Sequence, residues 1–519
     1  MTSDRHGRDI FHIEGEGFVG DPPGTAREAA AAIPFRFSRM GPKGRKLPRG
    51  LRVKMARAMT SGANVNGNIP SGFTYLGQFV DHDLTFDFTD VALGDDVSPA
   101  DLLQGRSPTL DLDNLYGAGP LDAESARFYE DGVRLKVGTT TRSGSDLAKR
   151  GFDVPRVGTG GVRARRRANI PDRRNDENLA VAQTHAAMIR FHNRVVDRQR
   201  ATVPPADRFR RARKRVVLHY QWMLRTDYLP RICDPAVVDD VFTNGRKVFE
   251  VGADPLSMPT MPVEFSVAAF RLGHSMVREA YNWNARFPSG QGSLDLLFAF
   301  SGTSGDLGGN DTLPSNWIAD WRRLYRFHEI QRDDLKPPPR QFNFARRLDT
   351  VLVDPLAALP PGSFGGTDAD FGTIEANLAF RNLTRATMLN LASGQQMADF
   401  MISKGVALTK LTPAQIRNGL DGASLGDLTA AERDVFVAHT PLWFYVLREA
   451  ELNGGHLTGV GARIVAETFH RAMEGSRFSI IRESTFSPTL GTVLGRFTMT
   501  DLLVFAFANK ENLLAPLGD

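Results

Sequence analysis

Apolar residues recur at three- and four-residue intervals through "ENLAVAQTHAAMIRFHNRVVDRQ" and again through "ADRFRRARKRVVLHYQWMLRTDYLPRI", the spacing of one buried stripe on an α-helix. The same period predicts helices at "VEFSVAAFRLGHSMVREAYNWN", "TIEANLAFRNLTRATMLNLA", "TPAQIRNGL", "TAAERDVFVAHTPLWFYVLREAEL" and "GARIVAETFHRAMEG". Loops rich in Gly and Pro ("SGTSGDLGGNDTLPSN", "LKPPPRQF", "LPPGSFGGTD") separate them. Strand signals are confined to a weakly patterned region from "DGVRLKVGTTT" to "GFDVPRVG", and no internal repeat is visible. The pattern therefore predicts a mainly α-helical chain. Residues 1–70, which include "FRFSRMGPKGRKLPRG", show little periodicity and are expected to form an extended arm wrapped on a body that occupies 71–519.

Composition narrows the function classes. The 519 residues, 41% of them hydrophobic, suffice for a large core. A net charge of +5 from 64 basic and 59 acidic residues is too mild to point to nucleic acid, and the basic run "RARRRANIPDRR" lacks stacking aromatics and reads as a solvated loop. Cys233 is the only cysteine, which excludes intrachain disulfides and Cys-based zinc or cluster sites and suggests a small buried thiol. The N-terminus lacks the apolar core of a signal peptide, and no window is long and apolar enough for a membrane span. A soluble protein is expected, cytoplasmic or exported without a cleaved leader.

Against that background "TYLGQFVDHDLTFD" stands out, because Asp81, His82 and Asp83 interrupt an apolar run. If Tyr75–Phe86 is helical, Gln78, Asp81 and His82 share a face, whereas Asp83 is rotated about 100° away from His82. The first three can line a pocket and Asp83 can serve a second site. In "RSPTLDLDNLYG", Ser107, Thr109, Asp111 and Asp113 alternate, so an extended loop would point them one way. With Asp83 they make an all-oxygen set of the kind Ca²⁺ prefers, or simply a solvated acidic turn. Arg174 and Glu177 lie three apart where a helix begins, able to face a cavity or to form a terminal salt bridge. His274 follows Gly273 in an apolar segment, where it is either a core histidine or one that a broad flat group can approach. Asn382 and Arg385 share another helix face, an amide able to accept the proton of an iron-bound imidazole and a cation able to pair with a carboxylate.

Taken in order, "GQFVDHDLTF", "LDLDNLYG", "DRRNDEN…HNRVV", "FRLGHSMV" and "RNLTRA" resemble the animal-type haem peroxidases of the peroxidase–cyclooxygenase superfamily, and the chain looks like a bacterial member. The resemblance runs from about Phe73 to "FTMTDLLVFA". It implies a large single-domain, mainly α fold of the myeloperoxidase-like type with little β. It also implies haem b and Ca²⁺ as cofactors, with hydrogen peroxide reduced through Compound I and halide, thiocyanate or phenolic donors oxidised. By the same resemblance His82 is the distal histidine, Gln78 its neighbour and Arg174 the distal arginine. Asp81 and Glu177 are the carboxylates ester-linked to haem, and His274 is the iron ligand, backed by Asn382, with Arg385 near a propionate. Asp83, Ser107, Thr109, Asp111 and Asp113 are the calcium ligands.

Two departures matter. Position 178 is Asn where myeloperoxidase has the methionine of its sulfonium link, so only ester links are expected, and Asp113 replaces a hydroxyl with a carboxylate. Two other activities are compatible with parts of the sequence. A fatty-acid dioxygenase of the same superfamily would need a tyrosine where this chain has Arg271. A metal phosphohydrolase built on a His82–Asp83 doublet would need an upstream histidine, and only His6 and His12 precede it.

Overall fold

The computed structural model describes residues 35–519 except 63–64, 88, 90–91, 145–147, 200–201 and 364–367, together with the backbone of 11–13 and 17–19. The rest of the arm, including His6 and the side chain of His12, lies outside the described residues.

The arm is not extended throughout. Arg49–Met59 forms helix α1, which buries Leu51, Met55, Ala56 and Met59. Interspersed Arg and Lys, and an N-cap proline with no side-chain cap, hide this helix from a pattern reading. A short strand β1 (Asn66–Pro70) then pairs antiparallel with β2 (Phe344–Arg346) and delivers the chain into helix α2, Gly72–Leu84. Eleven of the thirteen residues of α2 are buried, so its polar side chains must find partners inside the protein. Leu76, Phe79, Val80 and Leu84 are fully buried. At roughly 1.5–3 kcal/mol each, they hold the helix in place despite the cost of burying His82 and Asp83. Thr85 ends it, turning extended and donating its hydroxyl to the Asp81 carbonyl at 3.0 Å.

Two long helices follow as the spacing predicts: α3 (Leu179–Asp197) and α4 (Pro205–Met223). Asn178 caps α3 by accepting from the Val181 amide at 2.9 Å. Pro205 opens α4 at the position where a missing N–H costs nothing. Beyond α4 the chain continues through a π-helical turn, Leu224–Tyr228, whose extra residue re-aims the side chains that follow. Helices α5 (Leu378–Met388), α6 (Leu442–Leu452), α7 (Gly459–Gly475) and α8 (Met499–Ala506) complete the frame. Helix α3 lies centrally, packed on α2, α4 and α8, while α5 packs on α1 and α6. Among the described residues sheet structure is limited to two-stranded pieces, among them Gly138–Thr139 with Arg150–Asp153 in the region of weak strand pattern.

Several expected elements are shorter or differently shaped. The apolar stretch around His274 is not one helix: it breaks into Val263–Ser266, a 3₁₀ turn Ala269–Leu272 and Gly273–Met276, with Ala268 out of helical geometry. A run buried on every side carries no periodicity from which to read such breaks. The run containing Pro441 splits into Ala430–Ala438 and α6, as a proline demands. The expected basic loop contains a short helix, Val162–Arg166, whose Arg165 and Arg166 pair with Asp311 and Asp306. Nor is 107–113 an extended loop. It is built of bends, Leu112 is left-handed at φ 61°, and Asp113 opens a single helical turn to Tyr116. Cys233 is buried. Among the described residues no helix is long and apolar enough to cross a membrane.

Candidate active site

A cavity of about 230 Å³ lies between α2, the turn that leads into α3, and the broken 263–276 segment. Gln78, Asp81 and His82 line it from α2, Glu177 and Asn178 from the α3 entrance, and Arg271, Gly273 and His274 from the far side. Two glycines shape it in opposite ways. A methyl group at Gly273 would meet nothing within 4 Å, so the space beside His274 stays open. At Gly77 it would stand 2.4 Å from the Tyr228 hydroxyl, so only glycine lets the tyrosine delivered by the π turn reach the cavity wall.

On the α2 side, His82 directs Nδ1 to the Asn175 amide oxygen at 2.8 Å and holds Nε2 3.9 Å from Glu177 Oε2. Burial first, and the Arg174 charge second, push the His82 pKa down to about 3, so this imidazole is neutral at ordinary pH. Gln78 ties the two helices together: Nε2 donates to Glu177 at 3.3 Å, and Oε1 accepts from Asn178 at 2.9 Å. Asn178, where a sulfonium link was excluded, thus caps α3 and holds Gln78. Burial raises the Asp81 carboxyl above its ordinary range.

Arg174 is not part of the cavity wall. Its Nε and Nη2 grip Asp172 at 3.1 and 2.7 Å, Nη2 also donates to the His82 carbonyl at 3.1 Å, and the guanidinium lies over the Phe86 ring. Asp172 went unnoticed in the sequence, although it stands two residues before Arg174 in "PDRR". Fully buried, it also takes Arg106 at 3.0 Å. Burial alone would raise its carboxyl, but Arg174 and Arg106 hold it far below the usual range. Its contribution to stability is therefore present above about pH 4 and is lost as pH falls toward the depressed value. Asp172→Asn is expected to cost about 3–5 kcal/mol, the price of stranding a buried cation. Chemical denaturation at pH 7 measures it, and an unchanged midpoint would refute the pairing.

On the opposite side Asn382 meets His274, but not in the expected orientation. Arg271 donates to Asn382 Oδ1 at 2.8 Å, which turns the amide nitrogen toward His274 Nδ1 at 2.9 Å. Burial, then Arg271, lowers the His274 pKa to about 3. Arg385 does not line the cavity and pairs with Asp87 at 3.1 Å.

Asp83 faces away from the cavity, as its rotation predicts, and accepts from the Leu112 amide at 3.2 Å. It is buried with Ser107, Thr109, Asp111 and Asp113. Burial, then Asp113 and Asp111, push its carboxyl well above the ordinary range, and its Oδ1 has no hydrogen-bond partner. Ser107 bonds Thr109, Thr109 donates to Asp111 at 2.9 Å, and both Asp111 oxygens accept from the Arg477 amide. Arg213 lies 3.6 Å from Asp113. Among the described residues no three His, Cys, Asp or Glu side chains converge as a metal-ligand group. The cluster is short of positive charge rather than closed around a point. His82 and Asp83 thus face different surroundings, which separates the doublet a phosphohydrolase would need.

Residues 89–301 match the family described as animal haem peroxidase, a span that holds Ser107–Asp113, Arg174, Glu177 and His274. Heme peroxidase 2 of Caenorhabditis elegans is 23% identical over 393 residues, 72% of this chain and 48% of that protein. The chain thus spans about half the length of that relative. Thyroid peroxidase of Canis lupus familiaris is 29% identical over 191 residues, 35% of this chain and 20% of its own length. Among solved structures, peroxidase A from Dictyostelium discoideum superimposes with a TM-score of 0.56 at 16% identity, over 95% of this chain and 98% of that one. The fatty acid alpha-dioxygenase of Oryza sativa gives 0.51 at 11% identity, over 91% and 76%. Both likenesses are of fold.

Proposed function

We propose, from the premise that this chain belongs to the animal haem peroxidase family, that it reduces hydrogen peroxide at a haem held in the central cavity and oxidises small donors such as halide, thiocyanate or phenols. The observation that carries this reading is the cavity itself, which two neutral histidines, the buried His82 and the half-buried His274, face from separate elements. The donor set fits haem: an imidazole beside the open space at Gly273, and two carboxyl side chains, Asp81 and Glu177, on the other wall. Bound there, haem would supply the iron at which the peroxide O–O bond is broken.

The remaining chemistry belongs to the chain. His82 Nε2 takes the proton from incoming peroxide and returns it to the departing oxygen, a task for a neutral imidazole that is not itself a ligand. Arg174 does not line the cavity as it stands, so its assignment to a developing negative charge rests on Nη1, which makes no hydrogen bond to the described residues while Nε and Nη2 are spent on Asp172 and His82. His274 would hold the haem iron through Nε2. Ligation in that form puts its proton on Nδ1, which needs the Asn382 oxygen, so we assign haem binding to the reversed amide orientation with Arg271 released toward the cavity it lines. Asp81 and Glu177 are the ester-forming carboxyls, and Arg385 is the cation assigned to a propionate. Asp83, Ser107, Thr109, Asp111 and Asp113 hold Ca²⁺: three buried carboxylates against Arg213 leave a negative cluster, and Asp83 Oδ1 awaits a partner. The dioxygenase reading shares the fold, but position 271 offers a guanidinium bonded to Asn382 in place of a phenol.

Reconstitution with haem, read as a Soret band and as peroxide-dependent oxidation of iodide and guaiacol, tests the proposal. His274→Ala is expected to lose the Soret band and the activity together. A His274→Ala protein that still binds haem and turns over would refute the ligand assignment, and a wild-type protein that takes up no haem would refute the function.

A further inference from the structure

Behind His82 lies a pair of residues that the proposed chemistry does not yet use. Asn175, fully buried in the turn Arg173–Asp176, places its amide between two histidines: Oδ1 lies 2.8 Å from His82 Nδ1, and Nδ2 lies 3.0 Å from Nδ1 of His185, which is fully buried on α3. We propose that Asn175 is the positioning residue for His82, fixing the tautomer with hydrogen on Nδ1 and a bare Nε2 toward the cavity, and that His185 fixes Asn175 in turn. The inference rests on the reading of His82 as the proton carrier.

The polarity of the chain follows from donor counts. A neutral imidazole has one N–H and one lone pair, and an amide presents acceptors only at oxygen and donors only at nitrogen. With the oxygen toward His82, Nδ1 of His82 must carry hydrogen, and Nε2 beside Glu177 is left as the lone pair. With the nitrogen toward His185, Nδ1 of His185 must be the acceptor, so its hydrogen sits on Nε2, which is buried without a partner. The opposite tautomer of His82 would set an N–H against whatever approaches from the cavity and would leave no base there. The device is also held mechanically. The His185 ring packs edge-on against Phe79, one turn before His82 on α2, with centroids 5.8 Å apart, so the three groups bridge α2 and α3. Asn175 itself is braced by Asp172, whose carbonyl accepts the Asn175 amide N–H at 3.1 Å.

Histidine ring nitrogens, ¹⁵N-labelled in the haem-loaded, reduced and carbon monoxide-bound protein, report tautomers directly through their two-bond proton correlations. His82 is expected to show hydrogen on Nδ1, and His185 hydrogen on Nε2. Asn175→Ala is expected to release His82 into a mixture of tautomers and to slow the reaction with hydrogen peroxide roughly tenfold to a hundredfold, part of the range such proton transfer supplies. Asn175→Asp, which keeps the acceptor and the shape, is expected to restore the Nδ1–H form of His82, to switch His185 to its other tautomer, and to recover most of the lost rate. Hydrogen on Nε2 of His82 in the wild type, or an Asn175→Ala protein with both tautomer and rate unchanged, would overturn the proposal. If instead the tautomers are as expected while His82→Ala reacts with peroxide at the wild-type rate, positioning stands and the proton-carrier reading fails.

Discussion

Replacing His82 by Ala in the haem-loaded protein is expected to slow its reaction with hydrogen peroxide by about 10²–10⁴-fold while leaving the Soret band in place. The two effects separate because the two histidines belong to different walls of the cavity: His82 stands on α2 and His274 in the broken segment opposite. Removing the first takes away a base, whereas removing the second takes away the assigned ligand. Since burial and Arg174 hold the His82 pKa down at about 3, the base form persists through the acidic range. The wild-type rate is therefore expected to stay flat from neutrality to about pH 5 and to fall only as pH approaches that depressed value. Stopped-flow mixing with peroxide across pH measures both. A His82→Ala rate within a few fold of wild type, or a wild-type rate that drops with a midpoint near 6.5, would remove His82 from the role.

The parts of the site legible in the sequence were those set by helix geometry. Gln78, Asp81 and His82 share one face of α2 and Asp83 another, because three- and four-residue spacing fixes direction once a helix is assumed. What was not legible depends on contacts between distant segments. Asp172 and Asn175 sit among polar neighbours in "PDRRNDEN", and nothing local tells that one is the buried counterion of Arg106 and Arg174 and the other a link between His82 and His185. At Asn382 residue type gives the contact with His274 but not the direction of the amide, which is decided by its competitors, here Arg271. The alternation of Ser107, Thr109, Asp111 and Asp113 suggested an extended loop, yet a left-handed Leu112 and a helical turn at Asp113 bring the same side chains into one buried cluster. Helix α1 was missed for the converse reason, an adequate apolar stripe obscured by surface Arg and Lys.

The largest effect expected away from the cavity is a change of sign at Asp83. Without a cation, its carboxyl is raised well above the ordinary range by burial and by Asp113 and Asp111, so the folded protein binds a proton that the unfolded chain releases near pH 4. Stability of the calcium-free protein therefore falls as pH rises from about 4 through the raised value. Asp83→Asn removes that penalty, and the calcium-free variant is expected to melt above the calcium-free wild type at pH 8. With Ca²⁺ present the order reverses. An ion bound only by the folded wild type adds about 2.7 kcal/mol at a hundred times its Kd, and the variant, lacking the ligand, gains little. Because Asp83 is adjacent to His82 on α2, loss of the ion also loosens the cavity wall, and haem retention by Asp83→Ala is expected to fall with its calcium content. Thermal unfolding at pH 8 with excess Ca²⁺ and with EDTA, alongside metal analysis, separates the arms. Wild-type protein that melts identically in both, or an Asp83→Ala variant that keeps stoichiometric calcium, would remove calcium from the 83–113 cluster and leave its buried carboxylates to be neutralised by protons.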